Sequence, residues 1–245
     1  RFNFDSQIGI FGCVCDISIN NIKISVGKSY PVKDGDILDI GQCFDGNRGY
    51  LSISGSMDIK KDYNSFSTYD KINIGGLNGR KLKNNDIIPF KTYSSTNQSV
   101  KKIPESFHRR YKHSNTIRVV KGIHFDFFDK EYLSNDFSIL PESDRMGIRL
   151  RGNLKMSKDQ EITSTVVSKG TIQVPRDGNP IILMSDAQST GGYPIIGSVS
   201  AVDIPKLAQI RPNSNIVFKY ISLEESEKLI EFEKRKFLSQ LKIKM

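Results

Sequence analysis

The sequence predicts a mainly β protein in two barrel-like lobes, closed by one C-terminal helix. Three observations carry this. Short alternating segments bounded by Asn, Gly and Pro recur along most of the 245 residues, which is the pattern of strands and turns. One turn-plus-strand unit repeats. Sustained helical spacing is confined to the C-terminal stretch.

In chain order, Phe4-Asp5-Ser6-Gln7-Ile8-Gly9-Ile10 begins the β pattern. Ile17-Ser18-Ile19, Asn20-Asn21 and Ile22-Lys23-Ile24-Ser25-Val26 spell a hairpin, because asparagine tolerates the positive φ of its tight turn. Tyr50-Leu51-Ser52-Ile53-Ser54 alternates in the same way. The recurring unit is Lys33 to Ile40, then Lys83 to Phe90, then Pro212 to Phe218, each a polar turn feeding an alternating strand. Such units resemble one another in any β protein, or they mark a repeated barrel architecture. The polar, aperiodic stretch 91–115 predicts a long loop or linker, which divides the chain into lobes at 1–115 and 116–245. Beyond it, Thr116-Ile117-Arg118-Val119-Val120 starts a strand, a short helix is expected around 129–135, and Ile148-Arg149-Leu150 returns to β. Ser222-Leu223-Glu224-Glu225 is a capping box. The apolar residues after it, from Leu229 to Leu241, predict a helix of about five turns, packed on the barrel or held out for a partner.

Composition narrows the function. The formal charge is +9; solvated surface lysines account for it plainly, and attraction to an anionic ligand or acidic partner is the functional alternative. Basic residues are scattered, without an arginine block or stacking aromatics, so nucleic acid is not expected. No apolar run approaches the ~20 residues that span a bilayer, so no membrane association is expected. No leader pattern is legible, and the chain opens inside a strand pattern, so a segment upstream is expected. Cys13, Cys15 and Cys43 are odd in number and lack C-x-x-C spacing. This argues against a disulfide framework and a zinc ribbon, and for a reducing cytoplasm. No Walker loop, zinc-binding histidine pair or G-x-S-x-G elbow occurs. Gly75 to Gly79 reads as a turn. His108 and His113 lie in the basic stretch, and His124 reads as a packing residue.

Polar groups concentrate in Ser143-Asp144-Arg145-Met146-Gly147-Ile148-Arg149-Leu150 and in residues 170–194. Within the latter, Pro175 to Pro180 predicts a turn between antiparallel neighbours, so Gln173 and Asp186 share a sheet. Asp186 closes a buried strand, where a carboxylate accepts N–H bonds from an amide or acts as a general base. Gln173 and Gln188 donate and accept, Arg145 and Arg149 offer planar forks for anions, and Thr190 and Tyr193 add hydroxyls. Gly191 and Gly192 let the backbone approach a ligand and present N–H groups to an oxyanion. The structural alternatives are an Asp144–Arg145 ion pair that pins a loop and a turn-capping Asp186.

SDRMGIRL, GTIQVPRDGNPIILMSDAQSTGGYP and VDIPKLAQIRP, in this order, resemble the family of the C-type 5-oxoprolinase subunit, KipA, allophanate hydrolase subunit 2 and the urea amidolyase carboxyltransferase domain. The resemblance implies two cyclophilin-like β-barrel domains and work beside partners: a small KipI-like protein, the B-type subunit of 5-oxoprolinase, with an amidohydrolase-like subunit or a biotin carrier. It implies one of three roles: ATP-dependent opening of 5-oxoproline, biotin-dependent carboxyl transfer to urea, or regulation without turnover in the manner of KipA. ATP would act through the complex, biotin would arrive on a partner, and no metal is implied. The first role is the expectation, with Asp186, Arg145 and Tyr193 catalytic and with Gln173, Gln188, Thr190, Gly191, Gly192, Arg149 and Asp144 binding substrate. The family's Gly-Gly-x-Asp is Gly55-Ser56-Met57-Asp58 here, its Gly-Ser-Arg-Ser-Thr is Asn64-Ser65-Phe66-Ser67-Thr68, and its further N-terminal segment is absent.

Overall fold

A computed structural model of the chain describes residues 1–91, 100–104, 115–129, 136–156 and 162–240. The chain forms two compact units, Arg1–Asp45 with Gly49–Arg109 and Gly46–Arg48 with Arg110–Met245. The architecture is mainly β, as the sequence predicts.

The first unit is built on β1 (Ser6–Ile19), β2 (Ile22–Lys23), β3 (Ser29–Val32), β4 (Leu38–Ile53), β5 (Ser56–Met57) and β6 (Phe90–Lys91). β2, β3 and β4 all pair with β1 antiparallel, and β5 pairs with β6. The Asn20-Asn21 turn has the expected form, with φ of 48° and 67°, and Ser18 pairs with Lys23 across it. The repeated turn is real in its first two copies. Asp36 Oδ2 accepts from Lys33 N at 2.8 Å, and Asp86 Oδ2 accepts from Lys83 N at 2.7 Å. A left-handed residue, Gly35 or Asn85, completes each turn. Among the described residues, eight of the nine non-glycine positions with positive φ are asparagines.

The described residues 100–104 of the expected loop bond to this sheet. Ser29 N donates to Lys101 O and Ile103 N to Gly27 O, both at 2.8 Å. Residues 92–99 and 105–114 lie outside the described residues. The expectation of no disulfide is corrected here, since Cys13 and Cys43 are joined while Cys15 stays a free, buried thiol. Their 30-residue separation conceals the pairing, which arises because β4 returns along β1. Burial, then the charge of Asp16, pushes the Cys15 thiol up.

The second unit contains β7 (Thr116–Lys121), β8 (Phe137–Ile139), β9 (Gly147–Arg151), β10 (Thr165–Val166), β11 (Thr171–Gln173), β12 (Ile181–Leu183), β13 (Thr190–Gly191), β14 (Ile195–Val199), β15 (Asn215–Ile221) and two helices, α1 (Ile204–Leu207) and α2 (Leu223–Gln240). Seven strands close a barrel in the order β7-β14-β11-β12-β9-β8-β15, whose one parallel pair, β15 with β7, completes the ring. Alternation fills it: Ile117, Val119, Ile148, Leu150, Ile172, Ile182, Ile196 and Ile216 are all 3% exposed or less. Phe137 is fully buried and stacks on Phe218 at a centroid distance of 4.5 Å.

A 3₁₀ turn at Phe125–Phe127 precedes the helix expected at 129–135, which lies outside the described residues beyond Asp129. His124 is the packing residue the sequence suggested. Its Nδ1 accepts from Ile195 N at 3.0 Å, and burial lowers its pKa. The N-cap half of the box forms, with Glu225 N donating to Ser222 Oγ at 3.1 Å. The helix it opens packs less than the sequence suggested, since Ser226 is buried while Phe232 and Phe237 are 62% and 52% exposed.

One buried ion pair anchors the barrel seam. Arg118 on β7 donates through N, Nε and Nη2 to the Asp203 carboxylate at 2.8, 2.9 and 2.6 Å. Burial alone would raise the Asp203 carboxyl, but the Arg118 donors and the Lys206 charge outweigh it and hold the carboxyl below its usual range.

Two outcomes are expected. Phe137→Ala should lower unfolding free energy by about 3–5 kcal/mol, measured by denaturant titration, because a fully buried ring leaves a cavity. The Asp203 carboxyl has a lower pKa folded than unfolded. Its stabilisation is therefore complete above the unfolded value of about 3.9 and is lost as pH falls through the lower folded value. Wild-type Tm should accordingly fall below about pH 4 more steeply than that of Asp203→Asn, which should already be destabilised at neutral pH.

Candidate functional site

The two polar motifs meet because β12 lies between β11 and β9. Ile182 pairs with Ile172 on one side and Ile148 on the other. These three face the core, so the neighbouring row, Gln173–Ile181–Arg149, faces outward. The predicted antiparallel arrangement around Pro175–Pro180 is present. Asp186 lies in the turn that follows β12.

Although it points out of the barrel, Gln173 is only 1% exposed. The segment 188–191 covers it, with β13 pairing to β10 through Gly191–Thr165 and Thr190–Val166. Gln188 Nε2 donates to Gln173 Oε1 at 3.4 Å, a long bond. Gln173 Nε2 is buried without a hydrogen-bond partner. A Cβ at position 191 would lie 2.4 Å from this nitrogen, so a larger residue there would displace the Gln173 amide, whereas one at 192 would meet Ser164 Oγ at an ordinary 3.4 Å. The steric requirement of the Gly-Gly pair thus falls on Gly191. Gln188, Thr190 and Tyr193 are exposed, with Tyr193 at 47%, and Arg149 is exposed at the far end of the row.

Asp186 sits in a second cluster. Its carboxylate is gripped on both oxygens by Arg145, with Nε to Oδ2 at 2.8 Å and Nη2 to Oδ1 at 3.0 Å. Two backbone bonds align the turns: Asp186 N to Arg145 O and Met184 N to Met146 O, both 2.9 Å. Beside the Asp144–Arg145 pair considered from sequence, the structure shows Arg145 gripping Asp186. Asp144 Oδ1 accepts from Met146 N at 2.8 Å and Gly147 N at 3.1 Å, a local turn in which the side chain mimics the backbone.

The third motif is structural. Asp203 anchors β7, and buried Gln209 accepts from Asn47 N and Arg48 N at 2.8 Å while donating to Arg48 O at 2.9 Å. Sequence reading passed over both side chains; the signal available was an acid and an amide placed beside the apolar residues of a short helix.

Away from these residues, a cavity of about 770 Å³ lies in the first unit, lined by apolar groups including Phe4, Ile53, Phe66 and Phe90, with Arg1 and Asp86. The glycine-rich turn of this unit is internally bonded. Gly75 N donates to Asp62 Oδ2 at 3.0 Å, Gly76 N to Phe66 O at 3.2 Å and Gly79 N to Gly75 O at 2.8 Å. A loop that already holds a carboxylate on its amides does not fit a nucleotide phosphate. Among the described residues no helix is long and apolar enough to cross a membrane.

The chain belongs to the carboxyltransferase domain family, subdomains A and B, whose profile matches residues 1–220. It is 34% identical over 245 residues to the C-type subunit of 5-oxoprolinase from Escherichia coli, covering 97% of this chain and 76% of that protein. Urea amidolyase of Saccharomyces cerevisiae is 30% identical over 255 residues, covering 94% of this chain and 14% of that one. The crystal structure of Kluyveromyces lactis urea amidolyase superposes with a TM-score of 0.86 at 26% identity, covering 98% of this chain and 16% of that chain.

Replacing Gln173 by Leu removes a buried donor that has no partner. Thermal unfolding of Gln173→Leu should therefore show stability unchanged or raised by up to about 1 kcal/mol, against the loss of about 1–3 kcal/mol expected had both amide groups been satisfied.

Proposed function

We propose that the chain is a subunit of a 5-oxoprolinase-like enzyme that opens a small lactam with ATP, together with a small KipI-like partner of the B type and an amidohydrolase-like subunit. The observation that carries the reading is the outward row of Gln173 and Arg149. An unpartnered amide donor lies two strands from an arginine, a spacing of about 10 Å between backbones that an arginine side chain shortens. A ligand with an amide carbonyl and a carboxylate fits that pair. Once the segment 188–191 that covers it moves aside, Gln173 Nε2 donates to the carbonyl oxygen, and the Arg149 fork takes the carboxylate. 5-Oxoproline has both groups and urea has only the first.

Asp186, oriented by Arg145, accepts the lactam N–H, or takes a proton from the water that attacks the carbonyl carbon and returns it to the departing nitrogen as the C–N bond breaks. Gly191 and Gly192 contribute backbone N–H groups, and Thr190, Gln188 and Tyr193 line the exposed side, with Asp144 holding the turn that carries Arg145. ATP supplies phosphoryl chemistry from a partner subunit, in keeping with the bonded glycine turn. A cytoplasmic setting is proposed with it. Biotin-dependent carboxyl transfer to a urea-like amide is a second reading, favoured by the 0.86 TM-score to urea amidolyase, with biotin arriving on a carrier.

The test is co-purification with the two partner subunits, followed by assay of ATP-dependent glutamate formation from 5-oxoproline. Activity of the complex supports the reading. An assembled complex that forms no glutamate but, with a biotin carrier, carboxylates urea overturns it. Within an active complex, Asp186→Asn should reduce kcat by about 10²–10⁴-fold with a stability change of about 1 kcal/mol or less, because the Arg145 side of the pair is 61% exposed. Arg149→Gln should raise KM at least tenfold and leave kcat nearly unchanged, the pattern of lost ground-state binding.

A further inference from the structure

We propose that Cys13, Cys15 and Cys43 form a binding site for a soft d¹⁰ cation, Zn²⁺ in the first instance, when the three thiols are reduced. Cys13 and Cys15 lie two residues apart on β1, and Cys15 stands opposite Cys43 on β4. The β1–β4 register shifts between Gly12 and Val14, between Val14 and Cys15 and again between Cys15 and Ile17. Such bulges re-aim side chains, and here they coincide with the cysteines. All three sulfurs lie within 4.8 Å of one another. Three thiolates around zinc at about 2.3 Å stand about 3.8 Å apart, so the donors need only small shifts to close on an ion.

Room for the ion is kept by glycine. A Cβ at Gly49 would stand 3.1 Å from Cys13 Sγ. The remaining wall is apolar, with Ile10, Ile17, Ile24 and Leu38 packed around the sulfurs. An all-sulfur donor set selects Zn²⁺ or Cu⁺ over Mg²⁺ or Ca²⁺. Cys43 is half-buried, which leaves one side open for entry and for a fourth ligand such as water. Binding displaces the thiol protons.

Redox state governs the site. With Cys13 and Cys43 joined, only Cys15 carries a free thiol. A thiol or phosphine reductant delivers two electrons, two protons complete the two new thiols, and the third donor is already in place. The same cation is expelled when a low-molecular-weight disulfide re-forms the Cys13–Cys43 bond by exchange, taking up the two electrons and leaving as two thiols.

The full chain, reduced with a phosphine under nitrogen, is titrated with Co²⁺ and Zn²⁺. Expected are one equivalent of metal per chain by native mass spectrometry, a thiolate-to-cobalt charge-transfer band that Zn²⁺ abolishes, and at least tenfold weaker binding by Cys15→Ser. Alkylation of the wild type covers any variant that fails to fold: three cysteines should label without metal and should be protected by one equivalent of Zn²⁺. A reduced chain with three labelled thiols that takes up no metal overturns the proposal. So does a folded Cys15→Ser that binds as tightly as wild type, or an oxidised chain that binds as well as the reduced one.

Discussion

The ladder β9–β12–β11 is the constraint on which the candidate site depends. Its middle strand has only three residues, yet Ile182 carries a partner on each side. That register assigns every neighbouring side chain to one face or the other. It buries Ile148, Ile172 and Ile182 in the core and turns Gln173, Ile181 and Arg149 outward together. It also brings the turns after β12 and before β9 alongside each other, where two backbone bonds fix Asp186 beside Arg145. A slip of one residue would exchange the two rows, leaving Gln173 inside the barrel and an isoleucine where the amide now stands.

Local features of this arrangement were legible in the sequence, and closure was not. The Asn20-Asn21 hairpin, the turn between Pro175 and Pro180, the Ser222 cap and the packed His124 each follow from a short stretch with its own conformational preference. The parallel pairing of β15 with β7 joins residues about a hundred positions apart, Val217 with Thr116, and no local preference encodes it. The same limit explains the charges. Asp144 and Arg145 are adjacent in sequence and invite pairing, and the fold also delivers Asp186 to Arg145 and turns the Asp144 carboxylate onto nearby backbone. The Cys13–Cys43 pairing is likewise a product of strand return, invisible to a count of cysteines.

Among the described residues, burial without a partner sets Gln173, together with Tyr220, apart from the other buried polar groups. Gln209 satisfies both ends of its amide, and Asp203 accepts three bonds from one arginine. Ser200 and Ser226 satisfy each other at 2.8 Å. Tyr220 also buries a hydroxyl without a partner, and burial pushes its pKa well above the usual tyrosine value. Its ring packs edge-on against Phe125, which accounts for its position by apolar contact. The nitrogen of Gln173 lies beneath Gly191, where a Cβ would stand 2.4 Å from it.

The asparagines in left-handed turns bear on how this chain tolerates change. Glycine and asparagine are the two residues that occupy such φ values at low cost, so at Asn21, Asn85 or Asn213 either residue closes the turn. Composition at these places is consequently free to drift between the two without moving a strand. The lysine-, asparagine- and isoleucine-rich character of the chain is in this sense accommodated by the surface, the turns and the core respectively. A homologue with glycine at the same positions would follow the same path through space, differing in the floppiness of its unfolded chain more than in the shape of its folded one.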